Sequence, residues 1–437
     1  MLGPKAMSNR SVTAPKVLFL AGRDPTEEIG GGHSSYVRAT ARAATALGCD
    51  VQIYCVSSQN GNQVCDFGLV RRVPHQGRPC RQTEVAFHAP TLIAAATADQ
   101  NVEALPALIH SFGVWGHVGH QLRAQWLGSG FFVPHLISMY TVYEEEALAQ
   151  LRAADKYHLL KRLRQWLEWR RIRKYITPLE HEALLGADAV AVNYESVRKL
   201  LACHHDLGNK AERIKYSPES AFMIDSENRL PLTRFTSTLK DGRPLITAIT
   251  LQKPKKGIDK LLYALALLRK RGLNFRACVV GGGPLLTANR RLAHKLKLTD
   301  HVVFAGLVPD VLPYLKAADI FVLPSLREES GSLAVLEAMQ AGCAIVASGV
   351  DGILEDICHG TDGLLVEPGD INELADAIES LIKDPARREL IGTAARRTFE
   401  HSFSANAHAQ GLCKLYHRLG VPIESRIFAN TSPAMSL

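Results

Sequence analysis

Two glutamates eight residues apart, Glu329 and Glu337, frame the stretch PSLREESGSLAVLEAMQAG from Pro324 to Gly342. One stands in a polar turn and the other two helical turns further on, where carboxylates can accept hydrogen bonds from sugar hydroxyls. A carboxylate cannot favour a diphosphate. The backbone N–H groups at Gly331, Ser332 and Leu333 can, because they would stand at a helix N-terminus. On spacing alone, a helix-start acid and an ordinary surface glutamate explain the pair equally well. Three other stretches have residue types suited to phosphate or to close backbone approach. Glycines 30, 31 and 32 precede a helical pattern and leave room for a diphosphate or an acceptor. Lys253–Gly257 (KPKKG) is a basic turn after the strand-like LITAIT, and a solvated basic turn is the alternative. Val279–Pro284 (VVGGGP) resembles a dinucleotide loop, but Gly281-Gly282-Gly283-Pro284-Leu285-Leu286 lacks the final Gly or Ala of that fingerprint.

These turns need strands and helices to hold them. Short apolar runs alternate with helical patterns, as parallel α/β domains do. Strands are expected at Lys16–Leu20, Val51–Val56, Val85–His88, Ala107–His110, His135–Thr141 and Ala189–Asn193. A second series follows at Leu245–Thr250, Phe275–Val280, His301–Ala305, Ile320–Pro324, Ala344–Ser348 and Gly363–Val366. Helices are expected between them, among them Ser34–Leu47, Lys260–Lys270 and Ser332–Ala341. At 437 residues the chain exceeds what one core usually serves, so two doubly wound α/β domains are expected, with a boundary between about Ser217 and Arg243.

The composition, 46% hydrophobic and 22% charged, is that of a globular protein. No run of about 18 apolar residues argues for a membrane-spanning helix, and no apolar h-region near the start argues for a secretory signal. Nine cysteines form no CxxC pair, which fits reduced thiols and a cytoplasmic setting. A formal net charge of +8 favours anionic partners. No basic–aromatic module argues for nucleic acid, and no acidic pair follows a strand as a divalent-metal site requires. Arg152–Lys174 is basic, with Leu159, Leu160, Leu163, Trp166 and Leu167 at helical spacing. It reads as a surface amphipathic helix, or as a helix lying on an anionic membrane face.

The Pro324–Gly342 stretch, with Glu329, Glu337-Ala338-Met339 and Gly342, resembles the donor-site signature of the GT-B retaining glycosyltransferases of family 4, the glycosyl transferases group 1. The glycine loop with its helix, the basic turn, VVGGGP and GLLVEPG follow in that family's order, and the resemblance spans roughly residues 16–420. It implies two Rossmann-like domains facing across a cleft: 15–225 on the acceptor side, 240–405 holding the donor, and a helix at 406–424 crossing back. By the same resemblance Glu329 sits at the donor sugar and the reacting carbon, and Glu337 holds the ribose hydroxyls. Lys256 neutralises the departing diphosphate. Gly31, Gly32, Lys253, Gly282, Gly283, Ser330, Gly331, Ser332 and Leu333 complete the donor site.

Pro134–Tyr143 aligns with a family strand that often ends in a His near the donor sugar, and Tyr140, the catalytic candidate, takes that place. His33, His110, Trp115 and Tyr143 are the acceptor-side candidates, although a His closing a buried strand is as often a satisfied core residue. This chain departs from the pattern at Leu251, where an Arg is usual, and at Gly331-Ser332, where Phe-Gly is usual. The implied activity is retaining transfer from a UDP- or GDP-type sugar to the hydroxyl of a sugar, lipid-linked or small-molecule acceptor, with no metal or other cofactor. A sugar-nucleotide epimerase or hydrolase on the same scaffold, or a non-catalytic binding homologue, are the alternatives.

Overall fold

The computed structural model describes residues 14–27, 31–75, 77, 80–99, 105–152, 159–223, 241–328 and 330–423. It contains two sheets. The first holds β1 (Lys16–Arg23), β2 (Asp50–Ser57), β3 (Gln63–Cys65), β4 (Gly68–Pro74), β5 (Leu108–Phe112), β6 (His135–Met139), β7 (Ala189–Val192) and β8 (Ala211–Arg213). Their order is β3-β4-β2-β1-β5-β6-β7-β8, parallel except for the β3–β4 hairpin. The second holds β9 (Leu245–Ile249), β10 (Arg276–Val280), β11 (Val302–Gly306), β12 (Ile320–Leu323), β13 (Ala344–Ser348) and β14 (Leu364–Val366). Its order is β11-β10-β9-β12-β13-β14, all parallel. Strands such as LIHSF, HLISM, LITAI and AIVAS are buried along their whole length, because helices cover both faces of a parallel sheet.

The order of each sheet reverses between neighbouring strands, β1 and β5 in the first and β9 and β12 in the second. Strand ends diverge at such switch points and open a crevice at the carboxyl edge. The two crevices face each other: a Cβ on Gly32, in the first helix (Gly31–Ala46), would lie 3.7 Å from Leu333 Cδ1 of the second unit. The C-terminal helix Ala405–Arg418 packs on Gly31–Ala46 and sends the Tyr416 side chain into the first core. Residues 224–240, where the domain boundary was expected, lie outside the described set.

One expected strand is a helix. Val85–His88 opens the helix Val85–Ala98. Four apolar-rich residues cannot distinguish the two states, and here the following Ala-rich run decides. Val85, His88, Ala89, Leu92 and Ala96 are buried at helical spacing, with Pro90 inside the helix. The basic segment 152–174 is also more divided than expected. One helix ends at Arg152, another spans Leu159–Arg171, and a π turn covers Ile172–Ile176. The five apolar side chains singled out on it are exposed. Among the described residues no helix is long and apolar enough to cross a membrane.

Candidate functional site

A cavity of about 990 Å³ lies between the two crevices. Its second-unit wall is built from the loops after β9, β10 and β12, and glycine is required where those loops meet. Gly257 has φ +62, and a Cβ there would stand 2.0 Å from the Pro324 carbonyl oxygen, which seats the Lys256 turn against the end of β12. Gly281 has φ +120, with the Thr250 carbonyl oxygen 2.1 Å from its would-be Cβ. The helix Leu333–Ala341 starts at Ser332, whose side chain makes no capping hydrogen bond. Its first N–H groups therefore point toward the cavity with the positive end of the helix dipole.

Lys256 and Glu337 both line this cavity. The Lys256 ammonium is paired with Glu328, which is buried and also accepts from the Ser325 hydroxyl. The Glu328 N–H donates to Asp351 Oδ2 at 2.7 Å, so both ends of this residue are fixed. Burial raises the Glu337 carboxyl to about 8, with Asp310 and Glu219 adding repulsion. Glu219 is itself gripped by Arg38 and Arg42, each at 2.6 Å.

Of the remaining donor-side expectations, Gly32, Gly282, Ser330, Gly331, Ser332 and Leu333 line the same cavity. Gly31 begins its helix. Gly283 lies behind the wall, with φ +131 and the Gln252 backbone 2.8 Å from its would-be Cβ. Lys253 is displaced from the expected position: it lines a second cavity, of about 780 Å³. The reason is local, since Lys253 precedes the 3₁₀ turn Pro254–Lys256 in extended backbone and points away from it. Glu329 lies outside the described residues.

The acceptor-side expectations divide. Tyr140 lines the first cavity, Trp115 and Tyr143 line the second, and His33 lines both. His110 lines neither. It is wholly buried, with its imidazole between the Tyr416 hydroxyl at 2.9 Å and the Ser138 hydroxyl at 2.8 Å, and burial depresses it to about 3. It is a satisfied core histidine that ties the C-terminal helix to β5, which corrects the acceptor-side expectation.

His33, Tyr140 and Tyr143 form a chain. His33 Nε2 lies 2.9 Å from the Ala21 carbonyl oxygen, which can only accept, so Nε2 carries the proton. Burial first, then the nearby Arg23, favour the neutral ring. Nδ1 therefore accepts, and the Tyr140 hydroxyl donates to it at 2.6 Å. Tyr140 in turn accepts from the Tyr143 hydroxyl at 2.9 Å. Gly113, at φ +59, leaves the space: a Cβ there would sit 2.3 Å from the Tyr143 oxygen. Burial raises both phenols above their usual range.

A contact across the cleft was not foreseen from sequence. Tyr194, after β7, donates to Asp356 Oδ2 at 2.8 Å. Both Glu355 carboxylate oxygens accept from the first N–H groups of the helix Glu195–His204, Glu195 and Ser196, at 2.8 Å each. Arg213 Nη1 lies 3.0 Å from Glu355. The second unit thus supplies the cap that this helix lacks from its own side chains. The acidic pair Glu355-Asp356 after Gly352 was the one sequence sign of it.

Residues 231–398 match the family model "Glycosyl transferases group 1". The GDP-mannose-dependent alpha-(1-6)-phosphatidylinositol monomannoside mannosyltransferase of Mycobacterium tuberculosis is 35% identical over 162 residues, 35% of this chain and 42% of that protein. The 2-deoxystreptamine glucosyltransferase of Streptomyces kanamyceticus is 31% identical over 55% of this chain and 63% of its own. The match to the mannosyltransferase thus spans about two fifths of that relative's length. Sucrose-phosphate synthase from Thermosynechococcus elongatus superposes with a TM-score of 0.71 at 23% identity, covering 93% of this chain and 99% of that one. Anabaena Alr3699/HepE in complex with UDP-glucose gives 0.64 at 17% identity, covering 92% and 100%. These likenesses establish the GT-B fold.

Proposed function

We propose that this chain, a GT-B protein whose residues 231–398 belong to the glycosyl transferases group 1, moves a sugar from a nucleotide-sugar donor to an acceptor hydroxyl. One observation carries the reading. Lys256, the uncapped N-terminus of Leu333–Ala341 and Glu337 all face one cavity at the β9/β12 switch point. A positive end for a diphosphate and a carboxylate for ribose hydroxyls are then set about one helical turn apart. The two relatives named for their donors or products use GDP-mannose or make a glucoside, and a UDP- or GDP-type sugar suits this cavity equally.

In the proposed reaction the acceptor oxygen bonds to the anomeric carbon as the bond from that carbon to the diphosphate breaks. The electron pair leaves with the phosphate, whose charge Lys256 and the helix N-terminus stabilise. The acceptor proton needs a base. His33 is engaged at both nitrogens, and Tyr140 and Tyr143 hold their protons tightly. By the family resemblance the departing phosphate oxygen takes that proton, which puts attack on the face the leaving group vacates and retains the anomeric configuration. By family resemblance Glu329 sits at the donor sugar. No metal enters this scheme.

A thermal-shift screen of UDP, GDP and ADP, followed by NMR of the anomeric proton in the first product, tests the reading. A shift with one nucleotide and a retained anomer is the expected result. No shift with any of the three would favour a non-catalytic homologue. Donor turnover that is unaffected by acceptor would favour a hydrolase or epimerase.

A further inference from the structure

The second cavity is cationic and abuts the first at His33, which lines both. Arg23 from the end of β1, Arg81, Arg164 and Lys253 stand around it. Among the described residues none of these four is paired with a carboxylate. Arg23 Nε donates to the Cys80 carbonyl oxygen, at 3.3 Å. Two carboxylates, Glu146 and Glu168, line the same cavity on the helices Tyr143–Arg152 and Leu159–Arg171, so the lining keeps an excess of two positive charges.

Lys253 comes from the second unit and the three arginines from the first, so the cavity is completed across the cleft. Its interior is not a generic basic surface. Trp115, nearly fully buried, forms part of its wall and packs where Gly22 leaves room, with Cε2 2.0 Å from a would-be Cβ.

We propose that this second cavity is the acceptor subsite and that it selects an acceptor carrying an anionic group, a phosphate above all. This rests on the glycosyl-transfer reading, because it takes the first cavity as the donor's. Unpaired arginines in a concave site hold a phosphate through charge-assisted hydrogen bonds. Placing that anion beyond His33 leaves the acceptor's hydroxyl facing the donor sugar. Two sources share this chemistry: a soluble sugar phosphate, and a phospholipid headgroup reached from the exposed leucines of Leu159–Arg171, the helix that carries Arg164.

The test titrates glucose 6-phosphate and glucose by calorimetry, with saturating UDP or GDP present to fill the donor cavity. A Lys256→Ala background checks that phosphate held in the donor cavity is not counted. Co-sedimentation with phosphatidylglycerol and phosphatidylcholine vesicles forms the second arm. The comparison variant is Arg23→Ala/Arg81→Ala, which removes two cavity cations and leaves the exposed helix unchanged. The expected result is at least tenfold tighter binding of the phosphate ester, abolished by the double substitution, with the nucleotide thermal shift retained. No preference for the soluble ester, but binding to phosphatidylglycerol vesicles that the variant loses, assigns the anion to a lipid headgroup. Absence of both preferences overturns the proposal, as does anion binding that the variant leaves unchanged. Loss of the nucleotide shift in the wild type would instead overturn the donor reading, and the anion titration would remain interpretable.

Discussion

The Tyr194 hydroxyl occupies the space beside Gly331, 1.8 Å from where a Cβ on that glycine would stand. Tyr194 belongs to the first unit and Gly331 to the donor loop, so the ring lies against the turn that opens the Leu333–Ala341 helix. The family that this stretch resembles usually has Phe-Gly where this chain has Gly331-Ser332, and here an aromatic from the opposite unit lies against Gly331. Gly352 cooperates, since its would-be Cβ would meet Tyr194 Cδ1 at 2.7 Å. The cleft contact and the donor loop are therefore one packing unit.

Gly331→Ala should displace Tyr194 and break its hydrogen bond to Asp356. A loss of at least tenfold in kcat/KM is expected, with a smaller loss of thermal stability. Tyr194→Ala alone should cost a similar amount. In the double variant the methyl has nothing left to strike, so the two losses should fall well short of adding. Full additivity in that kinetic cycle would show that the two residues act independently.

How much of this was legible in the sequence follows the range of each interaction. The helix Leu333–Ala341 and the turn that holds Lys256 were readable from periodicity and from a bracketing Pro and Gly, whereas the roles of Glu337 and Lys256 rest on the family resemblance alone. The partner of Lys256 was not readable, since Glu328 is 72 residues away along the chain and nothing local announces it. Tyr194 and Asp356 are 162 apart. His110 was ambiguous for the opposite reason: a histidine ending a buried strand looks the same in sequence whether it faces a ligand or, as here, Tyr416. The strands β3, β4 and β8 are short or only partly buried, so their patterns were too weak to read.

Lys256→Ala should lower kcat by about 10²- to 10³-fold, the usual cost of removing a donor that stabilises developing charge. It also leaves Glu328 buried without its cation, which should destabilise the fold by at most ~3 kcal/mol. Adding Glu328→Gln removes the stranded charge and keeps a hydrogen-bond acceptor for Ser325. Denaturation should then show stability largely restored while turnover stays low. Recovery of turnover along with stability would assign Lys256 to the fold rather than to the leaving group.

Glu337 gives a pH signature with a definite sign. Its carboxyl is raised by burial to about 8 in the folded protein, against about 4.5 for an ordinary glutamate. The folded state therefore holds a proton that the unfolded chain has released, and stability falls as pH rises between these values and levels off above the higher one. Glu337→Gln should remove that decline, so its melting-temperature advantage grows from pH 5 to pH 8 by a few degrees or more. Nucleotide binding should behave oppositely. Ribose hydroxyls favour the ionised carboxylate, so wild-type affinity should rise toward pH 8 by up to about tenfold per unit, with proton release on binding. Calorimetry in buffers of different ionisation enthalpy measures that release, and the Gln variant should show none.

Glu355 caps the helix Glu195–His204 from the opposite unit and also holds Arg213. Removing it with Glu355→Ala leaves two helix N–H groups without a partner and one arginine without a carboxylate. The capping loss alone is worth about 1 kcal/mol, all of it from the closed arrangement. Solution scattering should show a larger radius of gyration in the nucleotide complex. Transfer should slow by roughly fivefold, and the fraction of donor lost to water should rise, because closure is what excludes water. An unchanged radius with unchanged partition would place the cap in folding only.

The His33–Tyr140–Tyr143 chain decides whether, in the proposed transfer, the protein supplies its own base. Every nitrogen and hydroxyl in it has a partner, and burial holds His33 neutral and both phenols protonated. Its geometry therefore suits a rigid wall between donor and acceptor cavities better than a proton carrier. Tyr140→Phe should remove two hydrogen bonds, about 2 kcal/mol of stability, and reduce kcat less than tenfold. The pH–rate profile should show no limb near the usual histidine value in wild type or variant, because no imidazole in the chain titrates during turnover. His33→Ala, by contrast, joins the two cavities into one and should raise the KM for acceptor more than it lowers kcat. A limb near pH 6.5 that vanishes in His33→Gln would make His33 the base and would end the same-face scheme in which the leaving phosphate takes the proton.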